Sequence, residues 1–222
     1  MTLEISRVAR SKEQAEVAYD RLGRWYDLLA RWGEARLRGI GLQMLAAQDG
    51  EKILEIGFGT GHALVALARG VGTMGKVSGI DLSGKMVQMA HARLDAAGLA
   101  ERVALEQGDA VRLPYPDAAF DGVFMSFTLE LFDTPEIPVV LGECRRTLRE
   151  AGRVAVVALS MLGQHGFASR VYGWAHERFP SYADCRPIYL QRSLEPTGFV
   201  VAEARLEEMW GLPVELVLAR KA

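Results

Sequence analysis

Three features of the chain predict a doubly wound α/β fold, a largely parallel sheet with helices on both faces. Short apolar runs alternate with helical stretches of roughly 10–15 residues. The runs are close to continuously apolar, as strands covered on both faces are. The first of them ends in glycines, Gly57-Phe58-Gly59-Thr60-Gly61, and opens a helix. In such sheets ligands bind beyond the carboxyl ends of the strands, where turns of this kind lie.

With 222 residues the chain has room for one such domain and a substantial core. Half of the residues are hydrophobic and 24% are charged, the balance of a globular chain. Lys and Arg number 26 against 28 Asp and Glu, a formal net charge of −2, which argues against a dedicated nucleic-acid binder. Two cysteines, Cys144 and Cys185, cannot staple a disulfide scaffold and point to a reducing compartment. The first 20 residues are charged throughout and lack the apolar core of a signal peptide. No apolar run reaches the roughly 18 residues of a membrane span. The expectation is one cytoplasmic domain: a helical N-terminal part over 1–49, a ligand-binding core over 50–160, a substrate cap over 160–192 and C-terminal strands over 193–222.

The first 50 residues read as helical. Trp25, Leu28, Leu29 and Trp32 recur at i, i+3, i+4 and i+7 and share one helix face, with Arg21, Arg24, Arg31, Arg36 and Arg38 around it. A first strand is predicted at Lys52–Gly57 and a helix over 61–69. The second strand, Lys76–Asp81, leads into a helix over Ser83–Ala97, with Ser83 as its N-cap and Gly98 as its stop. Strands at Val103–Gln107 and Phe120–Phe127 follow. Pro135 suits the first turn of a helix running to Leu148. Arg153–Leu159 is the most continuous apolar strand, and about 30 residues after it fit neither period. Phe199–Leu206 and Val214–Arg220 look like a pair of edge strands.

The glycine loop carries the strongest functional signal. Glycines admit positive φ and let a ligand approach the backbone, and the helix behind them offers free N–H groups. The bland reading is a tight turn with no ligand; three alternating glycines plus Thr60 favour a ligand. Dinucleotide folds want G-x-G-x-x-G, and here the third glycine comes one residue early, which disfavours NAD. Asp81 ends the second strand 20 residues after Gly61. An acid there either accepts both hydroxyls of a ribose or answers a helix dipole. Asp109, after the third strand, either reads an adenine edge or is a turn residue.

ILEIGFGTG, GIDLS, QGDA, FDGVFMSF and LREAGRVAVVAL, in that order, resemble the motif series of class I S-adenosylmethionine-dependent methyltransferases. Among these the chain looks most like the ubiquinone and menaquinone C-methyltransferases and their small-molecule and lipid relatives (methyltransferase domain type 11). The likeness covers about residues 50–160, with Tyr26-Asp27 near the start. It implies a Rossmann-like sheet of seven strands, mostly parallel, with one antiparallel strand near the C-terminus. It also implies S-adenosyl-L-methionine as cofactor and S-adenosyl-L-homocysteine as product. Glu55, Gly57, Gly59, Thr60 and Gly61 would surround the methionine part, and Asp81 would hold the ribose. Leu82 and Met86 would flank the adenine, and Asp109 with Ala110 would meet its edge. Ser126 and Phe127 would lie near the sulfonium, with Tyr26 closing over the cofactor. The chain departs from the family's Leu-Lys-Pro-Gly-Gly at Leu148-Arg149-Glu150-Ala151-Gly152. It also has Thr128-Leu129-Glu130-Leu131-Phe132 where the quinone enzymes carry Gly-Leu-Arg-Asn, which weakens the assignment to the quinone enzymes themselves and leaves a quinone-like, lipid or other small-molecule acceptor.

Methyl transfer from a sulfonium is an in-line displacement, so the protein supplies alignment more than reactive groups. A general base is needed only for some acceptors. Base candidates are Glu130, with a structural acid as its alternative, and His165, Tyr172 and Tyr182. His62 is expected to cap or pack beside the glycine loop, and His91 to lie on a helix surface. The segment 160–192 also holds Phe167, Trp174, His176, Phe179 and Tyr189; it reads equally as a substrate cap or a small satellite core. No Cys/His cluster has metal-ligand spacing. Residues 21–38 resemble an interfacial helix that would touch a membrane peripherally, against the alternative of a core-packing helix with a solvated basic side. The expected partner is a small-molecule or lipid-like acceptor, with no nucleic acid. Two other functions stand beside this one: a non-catalytic relative that binds the cofactor or a partner, and a nucleotide-dependent oxidoreductase.

Overall fold

A computed structural model describes residues 31–163 and 186–222. Seven strands form one sheet: β1 Lys52–Ile56, β2 Lys76–Asp81, β3 Val103–Gln107, β4 Phe120–Ser126, β5 Leu148–Leu159, β6 Phe199–Met209 and β7 Leu212–Lys221. Their order is β3-β2-β1-β4-β5-β7-β6. β1 through β5 run parallel, and β7 lies antiparallel between β5 and β6. The predicted doubly wound, mostly parallel sheet is present, and its order reverses between β1 and β4. The helices are α1 Arg31–Leu45, α2 His62–Gly70, α3 Gly84–Ala96, α4 Ile137–Thr147 and the short α5 Leu190–Leu194.

Alternation along each strand builds two cores, one per face. Ile53, Phe124, Ala155, Val157 and Leu216 join Leu37 and Leu45 of α1, Leu64 of α2 and Leu94 of α3. Leu54, Ile56, Met125, Val156 and Val217 join Val140 and Leu141 of α4 and Leu190 and Leu194 of α5. Complete burial of a leucine or isoleucine contributes about 1.5–3 kcal/mol. Ser83 caps α3 as expected, its Oγ accepting the Met86 N–H at 3.2 Å. Gly98 stops that helix with φ +66°.

Four predicted features change. α4 starts at Ile137; Pro135 lies in the turn before it, where the Asp133 carbonyl accepts the N–H groups of Glu136 and Ile137. β4 ends at Ser126, because Phe127 adopts φ +53° and leaves the strand. β5 starts at Leu148, which pairs with Phe120, and resumes at Arg153 against Gly122 after an irregularity. Of the two C-terminal strands predicted to lie at an edge, β6 alone does so: β7 pairs on both sides, and Val214–Ala219 are buried.

α1 runs from the hairpin tip beyond β5 to the start of β1. A Cβ on Gly33 would lie 2.8 Å from Met209 Cγ, and one on Gly41 2.5 Å from Val157 Cγ2. Its far end is held by Arg153, whose Nε donates to the Leu45 carbonyl at 2.6 Å. Nη1 and Nη2 of Arg153 each reach a Glu51 oxygen at 2.8 Å. Burial alone raises the Glu51 carboxyl, but the Arg153 fork and the Gln48 amide outweigh it and hold Glu51 below 4.5. A depressed carboxyl stabilises the fold above its unfolded value, and that contribution is lost as pH falls through the folded value. Arg153→Met is therefore expected to cost about 2–3 kcal/mol near neutral pH. The difference from wild type should shrink in acid; urea unfolding at stepped pH checks it, and a pH-independent difference contradicts it.

Candidate functional site

β1, β2 and β4 end side by side, with Ile56 registered against both Ile80 and Met125. Their turns, and the one after β3, gather the motif residues at one edge of the sheet. The glycine loop sits at the centre, its Gly57 N–H donating to the Ile80 carbonyl at 2.8 Å. Gly57, Gly59 and Gly61 have φ +69°, +51° and +81°, a region that side chains disfavour. Their surroundings differ. A Cβ on Gly57 would lie 2.2 Å from Thr128 Cγ2, and one on Gly61 2.9 Å from Ala90 Cβ in α3. A Cβ on Gly59 would meet nothing within 4 Å. Gly57 thus admits the loop after β4, Gly61 admits α3, and Gly59 alone keeps a face of backbone open.

Asp81 braces that open residue. Its Oδ2 accepts the Gly59 N–H at 2.8 Å and its Oδ1 the Ser83 N–H at 3.0 Å. Burial pushes the Asp81 carboxyl up; the amides of Ser83, Gly59 and Leu82 oppose the shift without cancelling it. Glu55 is 3% exposed, and its Oε2 has no hydrogen-bond partner. Burial lifts its carboxyl well above 4.5, with the charge of Arg38 opposing and that of Asp81 adding. A buried acid with a free oxygen is costly to keep and marks a candidate site.

Ser126 ends β4 with its Oγ buried and likewise without a partner. Phe127 follows in a left-handed conformation, its N–H donating to the Val157 carbonyl at 2.8 Å. Backbone strain of this kind clusters at functional sites. Thr60 and Ala110 are buried, and Leu82 is partly exposed. Met86 is buried in the first turn of α3. Asp109 takes the turn arrangement, its Oδ1 accepting the Val111 N–H at 3.1 Å.

Glu130 is fully buried in a short 3-10 turn after β4, and its Oε1 accepts the Leu159 N–H at 3.1 Å. That contact ties the end of β4 to the end of β5, as a structural acid would. His62 starts α2 with a ring nitrogen 2.6 Å from Arg93 Nη1, and His91 is exposed on α3. Tyr189 is partly buried under the Arg192 guanidinium, 4.9 Å from its ring centre. Tyr26, His165, Phe167, Tyr172, Trp174, His176, Phe179 and Tyr182 lie outside the described residues.

Two residues the sequence did not single out also shape this edge. Thr128 donates its hydroxyl towards the carbonyls of Gly57, at 3.3 Å, and Ser126, at 3.1 Å, joining the glycine loop to the end of β4. Arg186 is fully buried and donates to the Phe132 carbonyl and to Thr134 Oγ1. Neither carries a sequence signal, since a lone Thr or Arg in a polar stretch reads as solvated.

Comparison with known proteins agrees with this edge. A family model described as a methyltransferase domain matches residues 53–152. The demethylmenaquinone methyltransferase of Geobacillus stearothermophilus is 31% identical over 199 residues, spanning 90% of this chain and 81% of that protein. The demethylmenaquinone methyltransferase of Lactobacillus johnsonii is 36% identical over 116 residues, 52% of this chain; the match spans about half, 47%, of that relative. Among solved structures, the (4+2)-cyclase SpnF overlays with a TM-score of 0.79 at 21% identity, covering 98% of both chains. A SAM-dependent methyltransferase from Aquifex aeolicus overlays at 0.66 with 22% identity, covering 93% of this chain and 98% of that one. At such identities the structures attest to the fold. The sequence relatives go further, and the chain belongs to the S-adenosylmethionine-dependent methyltransferases related to the quinone methyltransferases.

Proposed function

We propose that this methyltransferase delivers its methyl group to an apolar, quinone-like or lipid-like acceptor. The observation that carries the reading is the 31% identity to a demethylmenaquinone methyltransferase over nine-tenths of the chain. The segment that departs from the quinone enzymes is bound into the fold here: Thr128 to the Gly57 carbonyl, Glu130 to the Leu159 amide. An acceptor related to the quinones, rather than identical to theirs, fits that difference. The test is incubation with methyl-labelled S-adenosylmethionine and either a naphthoquinol lacking its ring methyl or the lipid and aqueous fractions of a cell extract. Label in the quinol or the lipid fraction is expected. Label confined to the aqueous fraction refutes the reading.

The open backbone at Gly59 and the free Glu55 oxygen fit the cofactor of the family. When bound, it supplies an electrophilic methyl group on a sulfonium. Asp81 then offers its remaining lone pairs to the ribose hydroxyls while holding Gly59 and Ser83. Glu55 takes the α-ammonium, and Leu82 and Met86 flank the adenine, with Asp109 and Ala110 at its edge. Ser126 and Phe127 stand near the sulfonium, and alignment by these groups is the protein's share of catalysis. A cation beside Glu55 favours its ionised form. Affinity for S-adenosylhomocysteine is therefore expected to rise as pH climbs from 4.5 through the raised value of the free protein. Glu55→Gln should flatten that rise; an equal slope in calorimetry of both proteins contradicts the role.

Peripheral membrane contact through residues 21–38 is open to a direct test. At its described end, Arg36 pairs with Glu207 at 2.9 Å and Gly33 rests on Met209, which favours a helix packed on the sheet. Among the described residues no helix is long and apolar enough to cross a membrane. Flotation with anionic liposomes at low salt decides between the readings, and protein left in the pellet excludes the membrane.

A further inference from the structure

The sheet ends in two unlike edges. β3, at one end, has five residues, a short edge of the kind that resists further pairing. β6, at the other end, has eleven. It bonds to β7 on one side, and its outer side meets no strand among the described residues. A long edge strand with open N–H and C=O groups is a template for another strand, and bulges and charges usually guard it. The irregularity in β6 falls at Ala202, between Val201 and Glu203, and so leaves most of the strand regular. Past it, residues 203–209 pair with β7 without a break. Along this stretch Ala204, Arg205, Leu206 and Glu208 are exposed, Leu206 to 54%.

The charges of this stretch match its own reversed copy. When two copies of one strand pair antiparallel about a two-fold axis normal to the sheet, the axis passes through a residue, and residues equally far on either side of it face each other. Centred on Leu206, Arg205 of each copy faces Glu207 of the other. Ala204 then faces Glu208, Glu203 faces Met209, and no like charges meet. The adjacent registers fail. Centred on Arg205, that residue meets its own copy and Glu203 meets Glu207. Centred on Glu207, two glutamates meet on the axis. Centred on Ala204, Leu206 runs into the irregularity at Ala202. Like charges directly opposite are destabilising, so the pattern selects one register.

Both faces of the strand support that register. Glu203, Arg205 and Glu207 register against Leu218, Leu216 and Val214, on the side that α1 covers. There Arg36 already pairs with Glu207 at 2.9 Å, and Arg205 with Glu203 at 2.7 Å. Joined across the axis, these pairs form a row of alternating charge, and networks stabilise where single exposed pairs contribute little. On the other side Leu206 meets its own copy. A Cβ on Gly163 would lie 3.8 Å from Leu206 Cδ2, and Leu162, next to Gly163 in the chain, is 36% exposed. A second strand laid along β6 removes apolar surface here from water.

We propose that β6 is a self-association surface: two copies of this chain join antiparallel through residues 203–209, centred on Leu206, into one continuous sheet. β6 runs parallel to β5, so the two-fold axis turns the cofactor edges of the two copies in opposite directions.

Sedimentation equilibrium of the full chain tests the pairing, with circular dichroism verifying that each variant is folded. Wild type is expected to dimerise with a dissociation constant on the order of micromolar, as suits a small interface. Arg205→Glu and Glu207→Arg each set like charges across the axis, and each should weaken dimerisation by at least about 30-fold. Glu207→Arg also gives up the Arg36 pair, an exposed contact of small stability. Mixed in equal amounts, the two variants should pair again, because the acids of one then face the bases of the other at both crossings. A wild type that stays monomeric at about 100 μM overturns the proposal. An unchanged dimer in either variant, or a mixture that stays monomeric, overturns it as well. Leu206→Arg puts two like charges on the axis from an exposed position and leaves the flanking charges alone. It should be monomeric, and it decides the question if a charge variant does not fold: a dimer as tight as wild type overturns the pairing.

Discussion

Gly59→Val is expected to leave a folded protein that no longer binds S-adenosylhomocysteine, whereas Gly57→Ala is expected to damage the fold itself. The two glycines stand two residues apart in one loop, both at positive φ. At Gly59 a Cβ meets no protein atom within 4 Å, so the branched side chain projects into the space where the cofactor must pass. The folding cost is then the backbone strain of a β-branched residue at φ +51°, about 1–3 kcal/mol. Loss of affinity should exceed about 100-fold, because the intruding methyls overlap a bound ligand rather than a side chain that can move. At Gly57 the added carbon falls 2.2 Å from Thr128 Cγ2 and 2.5 Å from its Oγ1. Overpacking and strain together are expected to cost about 2–5 kcal/mol. Pairing it with Thr128→Ala removes both of those atoms and leaves Cβ at 2.9 Å, so part of the stability should return. Thermal unfolding and calorimetry on the four proteins read both effects. Wild-type affinity in Gly59→Val would remove the glycine loop from the cofactor site.

Asp81→Ala should weaken S-adenosylhomocysteine by about 1–3 kcal/mol, the loss expected when polar partners are left unpaired. Asp81 also satisfies the Gly59 and Ser83 amides at 2.8 and 3.0 Å, so part of any loss could pass through the loop. The 2′,3′-dideoxy analogue separates the two contributions. It should bind wild type more weakly than the parent compound and bind Asp81→Ala about as well as the parent does. An equal penalty in both proteins would place the ribose elsewhere. The stability readout carries a pH sign too. Burial raises the Asp81 carboxyl above 3.8, so the wild type loses stability as pH rises through the raised value, and the alanine variant should lack that slope.

That the loop at 57–61 binds something was legible in its glycines, because positive φ at a strand-to-helix turn is a local requirement. Which glycine faces the ligand was not, since Thr128 and Ala90 reach Gly57 and Gly61 from 71 and 29 positions away in the chain. Glu130 shows the same limit. Its sequence context fits a base or a structural acid equally, and only the Leu159 amide at 3.1 Å shows the bond it makes.

The sequence by itself determined the strands of the parallel core, the capped helix after Asp81 and the cofactor family. β2 and β3 run over the predicted residues, because an apolar run flanked by turn residues needs no distant partner to be recognised. Tertiary structure alone decided the rest. β7 became an inner strand, flanked by β5 and β6, because both flanks find hydrogen-bond partners far off in the chain. β5 reached back to Leu148 because Phe120 is there to pair with it. Arg186 could be buried because the Phe132 carbonyl and Thr134 accept its donors. Glu55 was left with a free oxygen because the folded core buries it, at 3% exposure, with no donor in reach of Oε2. Periodicity and turn chemistry act over a few residues, and partners brought together by folding are invisible to them.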